Sequence, residues 1–310
     1  MAGESGALLS FVLMAGQGQA ASTAPVYAGD FPDPSVTVAG QYYAYATGHR
    51  SNLQVMSSPD MLNWWPVTDP LPKLPSWASA PWTWAPGVVQ RGSTYLMYYA
   101  AHDTAANQQC ISVATSWSPS GPFTDNSAAS FICQHALGGS IDPQPFVAPG
   151  GSLYLLWKSD NIAIGQPTAL WAQQLSRSGR YRVGSAVKLL DMMPQPSWQG
   201  SNFEGPAMVF HDGSYYLFYG ANAWDSAAAG IGYATCDGPL GRCTNQSVDG
   251  PWLASRDGAQ GPSGPAVFAD TAGTLHLAYH AWTGGIGYPA GNRSLFIDTL
   301  TFSAGRPVFR

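Results

Sequence analysis

The chain has 310 residues, with 18 acidic and 13 basic side chains (formal net charge −5), 12 Trp, 15 Tyr, 12 Phe, 35 Gly and 25 Pro. A 45% hydrophobic content supports a large core and excludes disorder, while this density of Gly and Pro disfavours long helices and favours turn-rich β structure. The acidic balance, with no Lys/Arg run, excludes nucleic acid and anionic membrane as partners and fits a neutral, polar ligand.

At the N-terminus, Ala7 to Ala15 is an apolar run followed by small residues from Gly16 to Ala21. Residues 1–24 therefore read as a signal-like or N-terminal extension, and a secreted or extracytoplasmic location is expected. Glu4 is the only charge before the run, so the usual basic start is missing and an ordinary packed strand is the alternative. The run is too short to span a bilayer.

From residue 25 to 310 a single pattern recurs five times: Pro, apolar residues, a Gly-containing turn, then an aromatic-rich strand. The copies begin at Pro34, Pro86, Pro145, Pro206 and Pro265, spaced by 52, 59, 61 and 59 residues. That period suits a four-stranded propeller blade with loops. Each copy reads as a hairpin, and Leu53 to Ser57, Ile111 to Thr115, Ala169 to Gln173 and Ile231 to Thr235 read as third strands. The expectation is an all-β chain forming one five-bladed β-propeller, with a β-sandwich as the alternative.

Four cysteines permit three pairings. Cys110 with Cys133 and Cys236 with Cys243 are preferred, as in an oxidising compartment; four buried thiols in a cytosolic enzyme are the alternative. No Cys-x-x-Cys occurs, so a zinc or redox motif is not supported.

Chemistry enters where the innermost strands start. Asp33 lies one residue before Pro34, Asp142 three before Pro145 and Glu204 two before Pro206, and Glu204 is one of only two glutamates in the chain. Rotation of the repeats about one axis brings these carboxylates to one mouth. Carboxylates so converged and partly desolvated have their pKa values spread, which prepares one as an acid and another as a base for glycoside hydrolysis. Asp30 reads as a structural turn cap. Aromatic faces for sugar rings are sought in Trp84, Phe31 and Phe203, which flank strand starts, and then in the loop residues Trp82, Trp65 and Trp224.

Ala28 to Val36 (AGDFPDPSV), Trp84-Ala85-Pro86-Gly87-Val88, Ser140-Ile141-Asp142-Pro143, Glu204-Gly205-Pro206 and Tyr279-His280 together resemble glycoside hydrolase family 43 over about residues 25 to 305. The resemblance implies a five-bladed propeller that hydrolyses arabinose- or xylose-containing glycans with inversion. It implies Asp33 as general base, Glu204 as general acid and Asp142 as the residue that tunes and orients the acid. It further implies that Arg293 reaches the active-site floor to bind sugar hydroxyls or Asp142. His280 sits near the axis by the same resemblance, as a substrate neighbour and a residue that meets a Ca²⁺ ion through water. No organic cofactor is expected, and a monomer is the default. Pro- and Trp-rich segments, Trp65 to Trp82 and Asp191 to Asn202, could wall off a pocket. Exo-acting β-xylosidase/α-L-arabinofuranosidase activity on xylo- or arabino-oligosaccharides is therefore expected, with endo-1,5-α-L-arabinanase or a non-catalytic carbohydrate-binding propeller as alternatives.

Overall fold

The computed structural model describes residues 20–310; the apolar run Ala7 to Ala15 lies outside them. Five antiparallel sheets follow one another along the chain. Blade 1 holds β1 Ser35–Val38, β2 Tyr42–Thr47, β3 Leu53–Ser58 and β4 Trp65–Pro66; blade 2 holds β5 Ala78–Arg91, β6 Thr94–Asp103 and β7 Gln108–Ser116. Blade 3 holds β8 Ser140–Val147, β9 Leu153–Ser159, β10 Ala169–Leu175 and β11 Arg182–Leu190. Blade 4 holds β12 Phe203–His211, β13 Ser214–Ala221, β14 Gly230–Cys236 and β15 Cys243–Asn245, and blade 5 holds β16 Gln260–Ala269, β17 Leu275–Thr283, β18 Asn292–Ser303 and β19 Arg306–Phe309. This is the five-bladed propeller expected from the repeat. Each recurring hairpin forms the two inner strands of a blade, and all four expected third strands are present.

Two faces per strand explain the packing. Successive side chains point to opposite sides of a sheet, so each blade feeds two interfaces. In β6, Met97 and Tyr99 pack against blade 1 while Leu96 and Tyr98 pack against blade 3. In β13, Phe218 packs toward blade 5 and Leu217 and Tyr219 toward blade 3. The described core divides into five clusters, one for each interface, and the fifth joins Val36 and Ala44 of blade 1 to Phe268 and Ala278 of blade 5. Strands covered on both faces have to be apolar nearly throughout, which is why the repeated strands are so rich in aromatics.

The ring closes through the segment before β1. Val26 donates its N–H to the Leu295 carbonyl (2.9 Å), Leu295 returns one to Tyr27 (3.0 Å), and Phe31 donates to the Arg293 carbonyl (2.8 Å). Phe31 is thereby fully buried against Tyr27.

Both preferred disulfides are present. Cys110–Cys133 ties β7 to the segment that covers its outer edge, where Ile111 bridges Ile132, and Cys236–Cys243 links the directly paired residues of β14 and β15. Loop-closure entropy scales with the separation, 23 residues against 7. Replacing Cys110 and Cys133 by Ala should therefore cost about 3 kcal/mol, and the same change at Cys236 and Cys243 about 2 kcal/mol. Urea unfolding curves of the two double variants check that order.

Candidate active site

The first residue of each repeat that turns toward the axis has a left-handed backbone and precedes proline: Asp33 (φ 54°), Ala85 (46°), Asp142 (56°), Gly205 (54°) and Gly264 (61°). In blades 2 to 5 a register shift falls at this point in the innermost strand. A bulge of this kind bends the strand and re-aims its side chains. The fivefold equivalence corrects the spacing read from sequence in the third copy, whose matching proline is Pro143 and not Pro145. Asp33 and Asp142 occupy the same structural position, while Glu204 stands one residue earlier in its blade. Non-glycine residues pay strain in this conformation, and Gly264 shows how tight the place is. A Cβ there would lie 2.8 Å from His280 Nδ1 and 3.2 Å from Asp33 Cα.

Hydrogen bonds between blades fix these positions. The Asp33 N–H donates to His280 Nδ1 of blade 5 (3.0 Å), the Ala85 N–H to Thr47 Oγ1 of blade 1 (2.9 Å) and the Gly205 N–H to Asp142 Oδ2 of blade 3 (2.9 Å). The Thr47 hydroxyl in turn donates to Asp33 Oδ2 (2.6 Å). Glu204 accepts from Asn202 Nδ2 (2.8 Å) and from Ser263 Oγ of blade 5 (2.7 Å).

Asp33, Asp142 and Glu204 line one chamber of about 930 Å³. They also surround a void of about 10 Å³ beneath it, nearer the axis, room for about one water. Their electrostatics differ. Burial alone would raise the Asp33 pKa, but the Arg293 guanidinium and the Thr47 hydroxyl outweigh it and hold this carboxyl below its ordinary value. Asp142 is pushed up to about 7 by burial, opposed by Lys158 and reinforced by repulsion from Glu204 and Asp33.

Arg293 reaches the chamber floor, but its partner is Asp33 (Nη1 to Oδ1, 3.3 Å) rather than Asp142. It stacks on Trp224 and Tyr288, 5.1 and 5.8 Å from the ring centres. Asp30 is not a turn cap. It accepts the Arg293 N–H (3.0 Å) and the Tyr288 hydroxyl (2.7 Å), and it lines the chamber.

Of the expected sugar platforms, Trp84 lies half-buried in the wall, edge-on to Trp82 at 6.2 Å. Trp82 and Trp224 are wall residues too, whereas Trp65 sits on the outermost strand of blade 1, outside the chamber lining. Phe31 and Phe203 are fully buried. Phe203 packs on Tyr219 at 4.6 Å. Phe31 is drawn into the interface of blades 1 and 5 by its bond to the Arg293 carbonyl, and Phe203, next to the register shift of its strand, keeps its ring in the interface of blades 3 and 4. From the two long segments, only Pro81, Trp82 and Asn202 reach the chamber.

His280 is fully buried and outside the chamber lining, so it supports Asp33 from behind instead of meeting substrate. Burial presses its pKa down to about 3. Since Nδ1 accepts the Asp33 N–H, the neutral ring carries its proton on Nε2, which is buried without a protein partner. A protonated Nε2 has no lone pair for an ion, so direct ligation does not fit; donation to a metal-bound water does.

Sequence reasoning overlooked Lys158, Tyr288 and Asp160. Lys158 is buried at the end of β9, its ammonium 3.8 Å from Asp160 and open to the chamber. A lysine closing the apolar run Leu153 to Trp157 is the signal that could have exposed it.

Three carboxyls and aromatic walls are gathered at the axis of a propeller. Residues 22–307 match the family model of glycosyl hydrolases family 43, and the chain belongs to that family. It is 24% identical to a β-D-galactofuranosidase of Aspergillus niger over 83% of this chain and 75% of that protein. It is also 24% identical to an extracellular endo-α-(1→5)-L-arabinanase of Bacillus subtilis over 89% and 87%. A thermostable family-43 glycoside hydrolase superposes with a TM-score of 0.80 at 27% identity, covering 94% of this chain and 96% of that one.

A raised Asp142 pKa makes the fold less stable as pH climbs. The unfolded carboxyl ionises near 3.9, so the stabilisation is complete below that value and is lost as pH rises through about 7. Asp33, held low, acts in the opposite sense and only at acid pH. In Asp142→Asn, whose amide oxygen can still accept the Gly205 N–H, the decline between pH 4 and 7.5 should flatten; denaturant midpoints across that range are the measurement.

Proposed function

We propose that the protein is an inverting, exo-acting glycoside hydrolase that releases L-arabinofuranose, xylose or both from hemicellulose-derived oligosaccharides. The observation that carries this reading is the convergence of Asp33, Asp142 and Glu204 on one aromatic-walled chamber. Trp82 and Trp84 from blade 2, Ile162 from blade 3, Trp224 from blade 4 and Tyr288 from blade 5 surround the carboxylates, which favours a chain end over a continuous groove. An endo-arabinanase is the second reading, favoured by the similarity to the Bacillus subtilis protein over nearly the whole chain.

In the proposed reaction Asp33, ionised beside Arg293, takes a proton from a water whose oxygen attacks the anomeric carbon. The bond to the leaving oxygen breaks as Glu204 gives that oxygen its proton. Ser263 and Asn202 fix the Glu204 carboxyl for this transfer. Asp142 is the third carboxyl of the set, aligned with Glu204 through the Gly205 N–H. Two disulfides and the extracellular Bacillus subtilis relative support an extracytoplasmic location.

Glu204→Gln should lower turnover by about 10²–10⁴-fold while binding of arabino-oligosaccharides stays within a few-fold; undiminished turnover would remove Glu204 from the role. NMR of the first product should show the inverted anomer. Single sugars released from arabino-oligosaccharides and xylobiose support exo action, and larger fragments from linear arabinan support the endo reading.

A Ca²⁺ ion met through water by His280 Nε2 is part of the proposal; bound, it would supply fixed positive charge near the axis. Chelation should then lower thermal stability or activity, with recovery on adding calcium, and indifference to both treatments counts against the ion.

A further inference from the structure

Although the sequence has no Lys/Arg run that composition alone would flag, the fold assembles a basic cleft. A cavity of about 1120 Å³ opens between blades 2 and 3, lined by Arg91, Arg177 and Arg180 with Ser178, Thr94 and Gln174, and no carboxylate lines it. It is built from the β5–β6, β8–β9 and β10–β11 turns. These lie at the opposite ends of the strands from Trp84 and Asp142, so a ligand there leaves the catalytic chamber free.

The three guanidiniums have no acidic partner among the described residues. Arg91 Nε donates to the Arg177 carbonyl (3.1 Å) and its Nη2 to the Gly151 carbonyl (3.0 Å), while Arg180 Nη2 donates to Thr115 Oγ1 (3.1 Å). Neutral acceptors thus hold two of the groups in place without neutralising them, and most of their five donors each remain free. Fixed, planar guanidiniums match carboxylates bidentately. No aromatic ring lines the cleft, so it lacks the stacking face that neutral sugars require, and its volume exceeds what a single small anion fills.

We propose that this cleft is a secondary glycan-binding site for acidic polysaccharide, taking the carboxylates of successive uronate residues. The choice of a glycan among polyanions rests on membership of a glycan-cleaving family; the arginine geometry stands without it. Because binding is read apart from turnover, failure here is distinguishable from failure of the proposed activity.

The test is affinity electrophoresis of the full chain in gels containing polygalacturonate, with neutral linear arabinan and DNA as comparisons. Polygalacturonate should retard the wild-type protein at low salt, more than DNA does, and retardation should fade with added salt. Arg177→Gln/Arg180→Gln, which leaves the structural contacts of Arg91 intact, should weaken the interaction by about tenfold or more, since charge-assisted hydrogen bonds are the strong ones. Cleavage of a nitrophenyl glycoside by that variant should be unchanged, which also certifies its fold. Absence of retardation by polygalacturonate, equal retardation of variant and wild type, or stronger retardation by DNA overturns the proposal.

Discussion

Everything at the site depends on how five strands meet around one axis. Each innermost strand arrives with a left-handed residue before a proline, and the N–H that this conformation turns sideways is donated, in three of the five blades, to a side chain of the preceding blade. Those acceptors are His280, Thr47 and Asp142. The placement of the chamber carboxyls and the joining of blades therefore rest on the same set of bonds. Strain at Asp33, Ala85 and Asp142 costs on the order of 1–3 kcal/mol each and persists because the surrounding blades over-determine the conformation.

One backbone position yields two carboxyls of opposite character. Asp33 and Asp142 share their φ and their following proline, yet one is held below its ordinary pKa and the other lifted to about 7. The difference is a matter of cation placement. Arg293, itself positioned by Asp30, Tyr288 and Trp224, touches Asp33 directly, whereas Lys158 makes its closest ion pair with Asp160 and acts on Asp142 only through space. Burial wins where the compensating charge is shared and loses where it is in contact. A repeat protein thus obtains distinct chemistry from equivalent positions by varying the neighbouring blade.

The fold was legible because its cause is periodic. Blade after blade must cover both faces, so aromatics and β-branched residues recur with a Gly turn at a fixed place, and Pro34, Pro86, Pro206 and Pro265 follow the left-handed residue in four of the five blades. The carboxylates were legible for the same reason. Phe31 and Phe203 were not, since Phe31 is placed by its ring-closing bond to Arg293 and Phe203 by the register shift beside it, and neither shows in the spacing along the chain. Asp30 and Lys158 escaped because their partners, Arg293 and Asp160, come from other turns or the next loop, and Asp142's link to Lys158 crosses a strand pair that spacing alone does not reveal.

A chain this poor in charge places it unevenly. Asp30, Asp33, Asp142, Asp160 and Glu204 gather at one end of the strands with only Arg293 and Lys158 as buried cations, while Arg91, Arg177 and Arg180 gather at the other end between blades 2 and 3 with no carboxylate beside them. The innermost strands all start at the same face, so side chains at their starts and side chains at their hairpin turns are separated by roughly 20 Å of strand. At physiological ionic strength that distance exceeds the screening length of about 8 Å. Guanidiniums in the turns therefore do little to the pKa values of the chamber, and changes to them leave its carboxyls as they are. The propeller keeps two electrostatic environments of opposite sign on one rigid body, each set by its own neighbours.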